Sequence, residues 1–263
     1  MELSISIKQK HNSYVELIQF TDTHIFADQD QTFDGIDTAK SLKQVMDHAR
    51  ASDWPPDAIL MTGDLVHDPS PLAYERLAGI LKTIQQPIFC IPGNHDDPHV
   101  MYQVFSKESI NTVKSIIFSD WIIFMLDTFL PGTHAGHLSE DELSFLDQQL
   151  ATYKTKHALI CLHHPPVSIG SPWMDKMGLQ NPADLFSIID KHMQVRAMLW
   201  GHIHQEFFSM YKNVQLMATP STCVQFTPKT NEYIKDNQTA GYRCLKLRAS
   251  GKINTEIIRI GHS

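Results

Sequence analysis

The chain is organised around the segment Ile88-Phe89-Cys90-Ile91-Pro92-Gly93-Asn94-His95-Asp96-Asp97. Its first four residues are apolar and favour a β-strand. The Pro-Gly pair that follows predicts a turn, because neither residue extends a strand or begins a helix well. The turn then presents an amide, an imidazole and two carboxylates, which are costly to bury unless solvent or a ligand satisfies them. Taken alone, this segment is explained equally well by a solvated loop and by a functional site.

Four other apolar runs in the sequence end in the same way. Residues 17–20, 59–61, 158–162 and 197–200 are strand-like, and each run leads directly into polar residues. The polar segments are Thr21-Asp22-Thr23-His24, Thr62-Gly63-Asp64, His163-His164-Pro165-Pro166 and Gly201-His202-Ile203-His204. Five strand ends that deliver Asp, His and Asn predict one composite site.

The composition is that of an ordinary globular protein and limits the classes of partner. The 263 residues are 42% hydrophobic and 19% charged, and no shift in composition marks a linker. We therefore expect a single domain over residues 1–263 with a β-rich C-terminal part. The net charge of -7, without a basic cluster, argues against nucleic acid as a partner and weakens a nuclease function. Fifteen histidines, many beside Asp at strand ends, favour metal or acid–base chemistry.

The sequence predicts a soluble, cytoplasmic protein without a membrane partner. No apolar run approaches membrane-spanning length. Residues 1–10 alternate between polar and apolar and lack the apolar centre of a signal peptide. The four cysteines show no CxxC spacing, so buried free thiols in a reducing compartment are expected.

Strands that alternate with helices predict the α/β class. Apolar periodicity and capping residues predict helices over 37–50, from 71 onwards, 139–150 and 181–192, with Leu72, Leu77, Ile80 and Leu81 on the inner face of the second. The strands are predicted at 14–20, 58–61, 88–91, 115–118, 121–126, 158–162, 197–200, 214–219, 242–247 and 253–260. The early half is expected to be parallel and the late half antiparallel. This pattern indicates two sheets packed face to face with helices outside.

The chemistry of the composite site favours divalent metal ions. Its candidate ligands are Asp22, His24, Asp64, Asn94, His163, His202 and His204. Oxygen and imidazole donors suit Mn, Fe(II) or Zn, and the absence of Cys disfavours a structural zinc finger. If seven side chains hold two ions, one group should bridge them, and the Asp64 carboxylate is the natural choice. Two such ions can hold a hydroxide between them and clamp a phosphoryl group for in-line attack.

Each candidate also has a structural interpretation. Asp22 and His24 could form a capping turn, and Asp64 and Asn94 are common turn residues. His202 and His204 would point the same way from an extended segment, which favours a ligand pair. The adjacent His163 and His164 would point in opposite directions, so only one of them is readily a ligand. Surface or core packing is expected for the remaining histidines that lack a strand-end context: His48, His67, His99, His134, His137, His157 and His192.

The five polar segments resemble the motifs of the calcineurin-like metallophosphoesterases. The matching residues are Asp22-x-His24, Gly63-Asp64, Gly93-Asn94-His95-Asp96, His163-x-Pro165 and Gly201-His202-x-His204, in that order. The resemblance implies a β-sandwich core with flanking helices and a dinuclear centre at the strand ends. It assigns one metal to Asp22, His24, Asp64 and His204 and the other to Asp64, Asn94, His163 and His202. His95 would sit beside the phosphate and assist the leaving group, so that Asp64 and His95 are the catalytic residues.

A narrower resemblance is to the class III cyclic-nucleotide phosphodiesterases of bacteria. The residues that carry it are 21–24, 162–165, 201–206 and especially 218–226, since no metal chemistry requires the sequence of the last segment. It implies hydrolysis of 3′,5′-cAMP to 5′-AMP by a metal-bridging hydroxide. Fe and Mn are the expected metals, with Zn or Co as alternatives, and a homodimer is one option. A broad diesterase, a glycerophosphodiesterase, a phosphomonoesterase, a protein phosphatase and a non-catalytic scaffold of this fold stay open.

Substrate contacts are expected from His24, Asn94, His95, His164, His204 and Trp173. The connection at 168–180 follows His163 and carries Trp173, Met174 and Met177, so it begins at the mouth of the predicted site. These side chains could offer an apolar face on which a purine stacks, a contact worth roughly 1–3 kcal/mol. Alternatively, Trp173 only covers the core.

Overall fold

A computed structural model describes residues 3–52 and 55–261. Residues 1–2 of the N-terminal segment, and residues 53–54 of the connection after the first helix, lie outside the described parts. The described helices are α1 (Thr38–Ser52), α2 (Pro71–Leu81), α3 (Pro98–Phe105), α4 (Glu140–Thr152), α5 (Pro172–Asp175) and α6 (Pro182–Ile189). All four predicted helices thus begin within one residue of their expected start, and α2 begins at the predicted Pro71.

The strands fall into two large sheets and one short ribbon. In chain order they are β1 (Ser4–Ser6), β2 (Tyr14–Phe20), β3 (Ala58–Thr62), β4 (Ile88–Ile91), β5 (Ile110–Asn111), β6 (Ser115–Ile117), β7 (Trp121–Met125), β8 (His157–Cys161), β9 (Val195–Trp200), β10 (Phe207–Tyr211), β11 (Val214–Ala218), β12 (Gln225–Phe226), β13 (Lys235–Asp236), β14 (Gly241–Arg248) and β15 (Ile253–Arg259). Within the described residues, one sheet has the order β1-β6-β7-β8-β9-β11-β10 and the other the order β15-β14-β2-β3-β4-β5. We call them the seven-stranded and the six-stranded sheet.

Both sheets are mixed, and the predicted antiparallel late half is wrong for most of its strands. Strands β7, β8, β9 and β11 run parallel to one another. Helix α4 carries the chain back between β7 and β8, and helix α6 does so between β8 and β9, which is the connection that parallel pairing needs; between β9 and β11 the chain returns through strand β10, which is antiparallel to β11. The predicted C-terminal hairpin is confirmed as β14 and β15, and it joins the six-stranded sheet by antiparallel pairing with β2.

Three hydrophobic clusters stack into a four-layer sandwich. One lies between the six-stranded sheet and helices α1, α2 and α3, and a second lies between the seven-stranded sheet and helices α4 and α6. The third joins the two sheets, with Leu60 and Phe89 from one sheet packed in the same cluster as Leu159 and Leu199 from the other. The prediction of two packed sheets flanked by helices is confirmed.

One predicted contact of α2 is wrong. Leu72 is 59% exposed, whereas Leu77 and Leu81 are buried and Ile80 is partly buried. Counting back from Leu77 by three and four residues gives buried Tyr74 and Ala73, so position 72 falls on the solvent face of the helix.

Cys90, Cys161 and Cys223 are buried free thiols, as predicted, and Cys244 is half-buried. No helix in the described ranges combines the length and the apolar character needed to cross a membrane.

Candidate metal centre and substrate cavity

The site forms where parallel strands of both sheets end. Asp22 and His24 follow β2, Asp64 follows β3, and Asn94 and His95 follow β4, all in the six-stranded sheet. The seven-stranded sheet supplies the residues after β8 and β9, which are His163, His164, His202 and His204. Because the two sheets pack face to face, their carboxyl ends bring side chains from five separate segments to one place.

Two glycines allow these loops to approach closely. Gly63 has a φ of +94°, which L-residues rarely adopt, and a Cβ there would overlap the imidazole of His163. A Cβ at Gly93 would overlap the backbone nitrogen and the carboxylate of Asp64. The glycines of these two segments therefore serve the packing of the candidate ligands.

One group of candidate ligands consists of Asp22, His24, Asp64 and His204, whose donor atoms all lie within 4.8 Å of one another. Nε2 of His24 is 3.1 Å from Nε2 of His204 and 3.6 Å from Oδ2 of Asp64. Nε2 of His204 is 3.5 Å from Oδ1 of Asp22. His204 Nδ1 donates to the carbonyl of Val224 at 2.8 Å, which leaves its Nε2 lone pair directed into the group.

A second group lies on the other side of Asp64. Oδ2 of Asp64 is 3.4 Å from Nε2 of His163, so this carboxylate stands between the two groups. His163 Nδ1 donates to the carbonyl of Thr62 at 2.8 Å, and its Nε2 lone pair is thereby free. His163, His164 and His202 each offer a nitrogen within 4.8 Å of the others.

The sequence predicts that His163 and His164 point in opposite directions, and this prediction is wrong. The strand ends at Cys161 and the chain bends, so both imidazoles turn into the same buried region, with ring centroids 4.9 Å apart. His164 Nδ1 forms a hydrogen bond of 2.7 Å with Thr128 Oγ1. His164 is fully buried and does not belong to the lining of the cavity described below.

Unsatisfied buried atoms provide a test of whether these residues suit a metal. Asn94 Oδ1 and the Nε2 atoms of His163, His164 and His202 are buried without a hydrogen-bond partner. Leaving such atoms unpaired costs about 1–3 kcal/mol each, and native proteins rarely do so without a reason. The donor set of carboxylate, amide oxygen and imidazole suits divalent ions, so the residues fit a dinuclear metal centre.

Burial and mutual proximity set the charge states of these residues. Burial holds the pKa of His24 well below its usual value, and it does the same to His164 and His202. Burial would also lower the pKa of His163, but the Asp64 carboxylate outweighs it and raises that pKa to about 9. Burial would raise the pKa of Asp64, yet the neighbouring His163 and His95 hold it well below the ordinary value. Without metal, the centre therefore combines the neutral imidazoles of His24, His164 and His202 with a protonated His163 beside the ionised carboxylate of Asp64.

His95 and Asp96 stabilise the turn after β4. The backbone N–H of His95 donates to Asp64 Oδ1 at 2.8 Å, which leaves the imidazole facing the cavity. Asp96 is buried and accepts hydrogen bonds from the N–H groups of Gly93 and Leu65 and from the Tyr74 hydroxyl. Burial and the nearby Asp64 raise the pKa of Asp96 to about 7. Asp96 thus joins the loops after β3 and β4.

A cavity of about 180 Å³ opens over the centre. Its polar lining comes from both groups of candidate ligands and from His95, and its apolar lining comes from three separate segments of the chain. The lining residues are His24, Phe33, Asp64, Asn94, His95, His134, Trp173, Met174, Met177, His202, His204 and Phe226. Trp173 also packs against Phe226 and Tyr233 and donates from Nε1 to Thr230 Oγ1 at 3.2 Å, so it belongs both to the cavity wall and to the packing beneath it.

The segment 218–226 supports two candidate ligands from behind. The Ser221 hydroxyl donates to the carbonyl of Asp22 at 2.8 Å, and the carbonyl of Val224 accepts from His204. The Phe226 ring stacks on the His204 imidazole at 4.0 Å with 3° between the planes. This segment contains no ligand, and its contacts explain why its sequence is nevertheless specific.

Sequence reasoning missed three residues of the site. His67 and His134, for which surface or core packing is expected from the sequence, contact candidate ligands. His67 Nδ1 is 3.3 Å from His24 Nδ1, and His134 Nδ1 is 3.1 Å from Asn94 Nδ2. Phe33 lines the cavity from the base of a tight turn, where its backbone exchanges two hydrogen bonds with Ile36. Only His67 carried a signal, since it lies three residues after Asp64 in the same strand-exit loop.

Comparison with known proteins supports these observations. The family model of the calcineurin-like phosphoesterases matches residues 16–206. A 3′,5′-cyclic adenosine monophosphate phosphodiesterase CpdA from Pseudomonas aeruginosa is 36% identical over 94% of this chain and 90% of the relative. The Escherichia coli (strain K12) protein of the same name is 35% identical over 99% of this chain and 95% of the relative. Among solved structures, a dimetal phosphatase from Danio rerio shares the fold with a TM-score of 0.63 at 13% identity, covering 94% of this chain and 99% of that one.

Proposed function

This chain belongs to the calcineurin-like phosphoesterases, and from that premise we propose that it is a metal-dependent phosphodiesterase that hydrolyses 3′,5′-cAMP to 5′-AMP. The single observation that carries the proposal is the cluster of buried carboxylates and imidazoles with unsatisfied donor atoms beside an aromatic cavity. The names of the Pseudomonas and Escherichia relatives support the choice of substrate.

Seven residues would hold the two ions. We assign Asp22, His24, Asp64 and His204 to one ion and Asp64, Asn94, His163 and His202 to the other. The distances of 3.6 Å and 3.4 Å from Asp64 Oδ2 to His24 and His163 support Asp64 as the shared ligand. When bound, two divalent ions supply Lewis-acid activation of water and neutralise charge on the phosphate. Fe and Mn suit these donors, and Zn and Co are alternatives.

His95 is the proposed general acid. Its backbone is fixed by Asp64 Oδ1, and its imidazole lines the cavity beside Asn94. In the reaction, the oxygen of water forms a bond to phosphorus, and the bond from phosphorus to the 3′ oxygen of the ribose breaks. The leaving 3′ oxygen needs a proton, and an imidazole at this place can donate it. His24, Asn94 and His204 are proposed to contact the phosphate group as well, and His164 to support this contact through its neighbours His163 and His202.

The apolar part of the cavity suits the nucleoside. Trp173, Met174 and Met177 come from the connection around α5, and Phe33 and Phe226 come from two other loops. Aromatic rings bind bases by stacking with little dependence on sequence. An aryl phosphate would leave most of this surface uncovered, whereas a purine nucleotide can use it.

A panel of substrates tests the proposed activity. Purified protein, supplied with Mn²⁺, is assayed on 3′,5′-cAMP, 2′,3′-cAMP, an aryl phosphodiester and an aryl phosphomonoester. We expect the highest kcat/KM on 3′,5′-cAMP with 5′-AMP as product. Highest activity on the monoester would make it a phosphomonoesterase, equal activity on all diesters would make it a broad diesterase, and no activity with two metals bound would indicate a scaffold.

Asp64→Ala is the matched control for this panel. Because Asp64 is the proposed shared ligand, the variant should lose all four activities and should bind fewer ions than the wild-type protein. Two bound metals per Asp64→Ala chain would contradict the bridging assignment.

We also propose that the protein is cytoplasmic and that it forms a homodimer. The molar mass of the protein in solution tests the homodimer.

A further inference from the structure

His67 lies behind His24, on the side of that ring that faces away from the carboxylates. The Nδ1 atoms of His24 and His67 are 3.3 Å apart, whereas His24 Nε2 lies among the other donors, 3.1 Å from Nε2 of His204. One nitrogen of His24 therefore faces the proposed metal and the other faces His67. To bind a cation, Nε2 must present a lone pair, so the ring proton must be on Nδ1 and point at His67.

The ring of His67 is fixed by its neighbours. Its centroid is 4.4 Å from that of Phe26 and 4.8 Å from that of His95, with interplanar angles of 34° and 33°. The Phe33 ring lies 5.1 Å away. Packing against three rings holds the imidazole in one orientation, with Nδ1 aimed at Nδ1 of His24. Nδ1 of His67 can accept a hydrogen bond from the Nδ1–H group of His24 if the proton of the His67 ring is on Nε2.

We infer that His67 is a positioning residue for the metal centre: it accepts a hydrogen bond from His24 Nδ1 and so holds His24 in the tautomer that binds a cation through Nε2. The inference rests on the proposed metal site. A carboxylate, a carbonyl or water usually occupies this position behind a metal-bound histidine, and its removal typically lowers metal affinity about 10–100-fold. In this chain an imidazole takes that place.

Two variants separate the hydrogen bond from the packing. His67→Phe keeps a planar ring but removes the acceptor, whereas His67→Asn is smaller and keeps an acceptor oxygen near the position of Nδ1. Metal-free protein is titrated with Mn²⁺ in competition with a chromogenic chelator. We expect His67→Phe to bind one of two Mn²⁺ ions about 10–100-fold more weakly, and His67→Asn to recover most of that affinity. His99→Ala, which changes an exposed histidine on α3, should match the wild-type protein.

Several results would overturn the inference. Unchanged affinity in His67→Phe, or equal losses in His67→Phe and His67→Asn, would show that no acceptor is needed. A third Mn²⁺ ion in the wild-type protein that both variants lose would make His67 a ligand itself. Absence of Mn²⁺ binding in the wild-type protein would instead refute the proposed metal site, and with it the role of His67. If His67→Phe does not fold, ¹⁵N NMR of the wild-type protein loaded with diamagnetic Zn²⁺ decides, because a proton on Nε2 of His24, or no proton on its Nδ1, excludes the hydrogen bond.

Discussion

At the scale of single residues, the proposed ligands have an unusual backbone. Five of them have positive φ angles between 45° and 66°: Asp22, His24, Asp64, His202 and His204. Non-glycine residues in this region typically cost about 1–3 kcal/mol and persist only where the surroundings enforce them. Here the loops after β2 and β3 hold each other by hydrogen bonds from Asp22 N to Gly63 O and from His24 N to Asp64 O, both 3.0 Å long. The strained backbone conformation of these residues is therefore maintained by the surrounding loops, and it directs the five side chains toward one place.

The role of His95 is tested by the leaving group. His95→Ala removes the proposed proton donor but no proposed ligand, so we expect normal metal content and a fall in kcat of about 10²–10⁴-fold on 3′,5′-cAMP. A nitrophenyl diester has a leaving group that needs little protonation, and its kcat should fall much less. Equal losses on both substrates, measured by steady-state kinetics, would remove His95 from this role.

The adjacent histidines His163 and His164 provide a matched pair. His163 Nε2 is 3.4 Å from Asp64, whereas His164 is bonded through Nδ1 to Thr128. We expect His163→Ala to lose one metal per chain and His164→Ala to keep both and to change mainly KM. Metal analysis of the two variants measures the difference. Loss of metal only from His164→Ala would show that the second imidazole is the ligand.

At the scale of elements, the short helix α5 defines the apolar side of the cavity. It begins at Pro172 and carries Trp173 and Met174 on a connection that starts directly after the ligand segment at the end of β8. Phe33 also lines the cavity, and its turn is held by hydrogen bonds from the Tyr233 hydroxyl to Asp34 Oδ2 and from Lys235 Nζ to the Asp34 carbonyl. Two loops from distant parts of the chain therefore form one aromatic wall.

Trp173→Ala tests whether this wall binds the base. If the indole stacks on adenine, we expect KM for 3′,5′-cAMP to rise about 5–150-fold, the equivalent of roughly 1–3 kcal/mol. KM for a small aryl diester should stay nearly unchanged. Because Trp173 also packs on Phe226, thermal melting is measured in parallel. A lower melting temperature with equal loss on both substrates would mean that Trp173 only stabilises the fold.

At the scale of the whole molecule, one hydrophobic core joins the two sheets. We infer a single domain over the chain, because residues of both sheets share one hydrophobic cluster.

Buried histidines make the stability of the folded protein depend on pH. Burial keeps His24, His164 and His202 neutral in the folded protein, whereas the unfolded chain takes up protons near pH 6.5. The unfolded state therefore gains protons that the folded state cannot bind, and acid favours unfolding.

We expect metal-free protein to lose stability as the pH falls below 6.5, by up to about 1.4 kcal/mol per pH unit for each of the three histidines. Asp96 and Asp127 offset part of this loss, because burial raises their pKa values to about 7 and about 6 and the folded protein then binds protons that the unfolded carboxylates do not. His163 also has a sign opposite to that of the three histidines, because its pKa of about 9 stabilises the fold below pH 6.5 and that contribution is lost as the pH rises toward 9. Urea unfolding in the presence of a chelator at pH 5.5, 6.5 and 8.5 measures both effects. His164→Gln should reduce the acid slope by one proton, and equal stability at pH 5.5 and 6.5 would contradict the prediction.

The sequence by itself determined the features that depend on local chemistry. Apolar runs that end in Asp, His and Asn identified the strand ends and the donor types, and Pro71 marked the start of α2. Residue type and near neighbours decide these features, so each can be recognised within about ten residues of chain. The order of the five polar segments was enough to indicate the family.

Only the tertiary structure decided which side chains meet. The parallel pairing of β7, β8 and β9 depends on crossovers through α4 and α6, and that of β9 with β11 depends on the return of the chain through β10. The bend after Cys161 turned His164 toward His163, and the helical register placed Leu72 in solvent. His134 lies 3.1 Å from Asn94 across 40 residues of chain, and no local pattern records such a contact. Long-range packing sets these distances, because it fixes where each loop ends relative to the others.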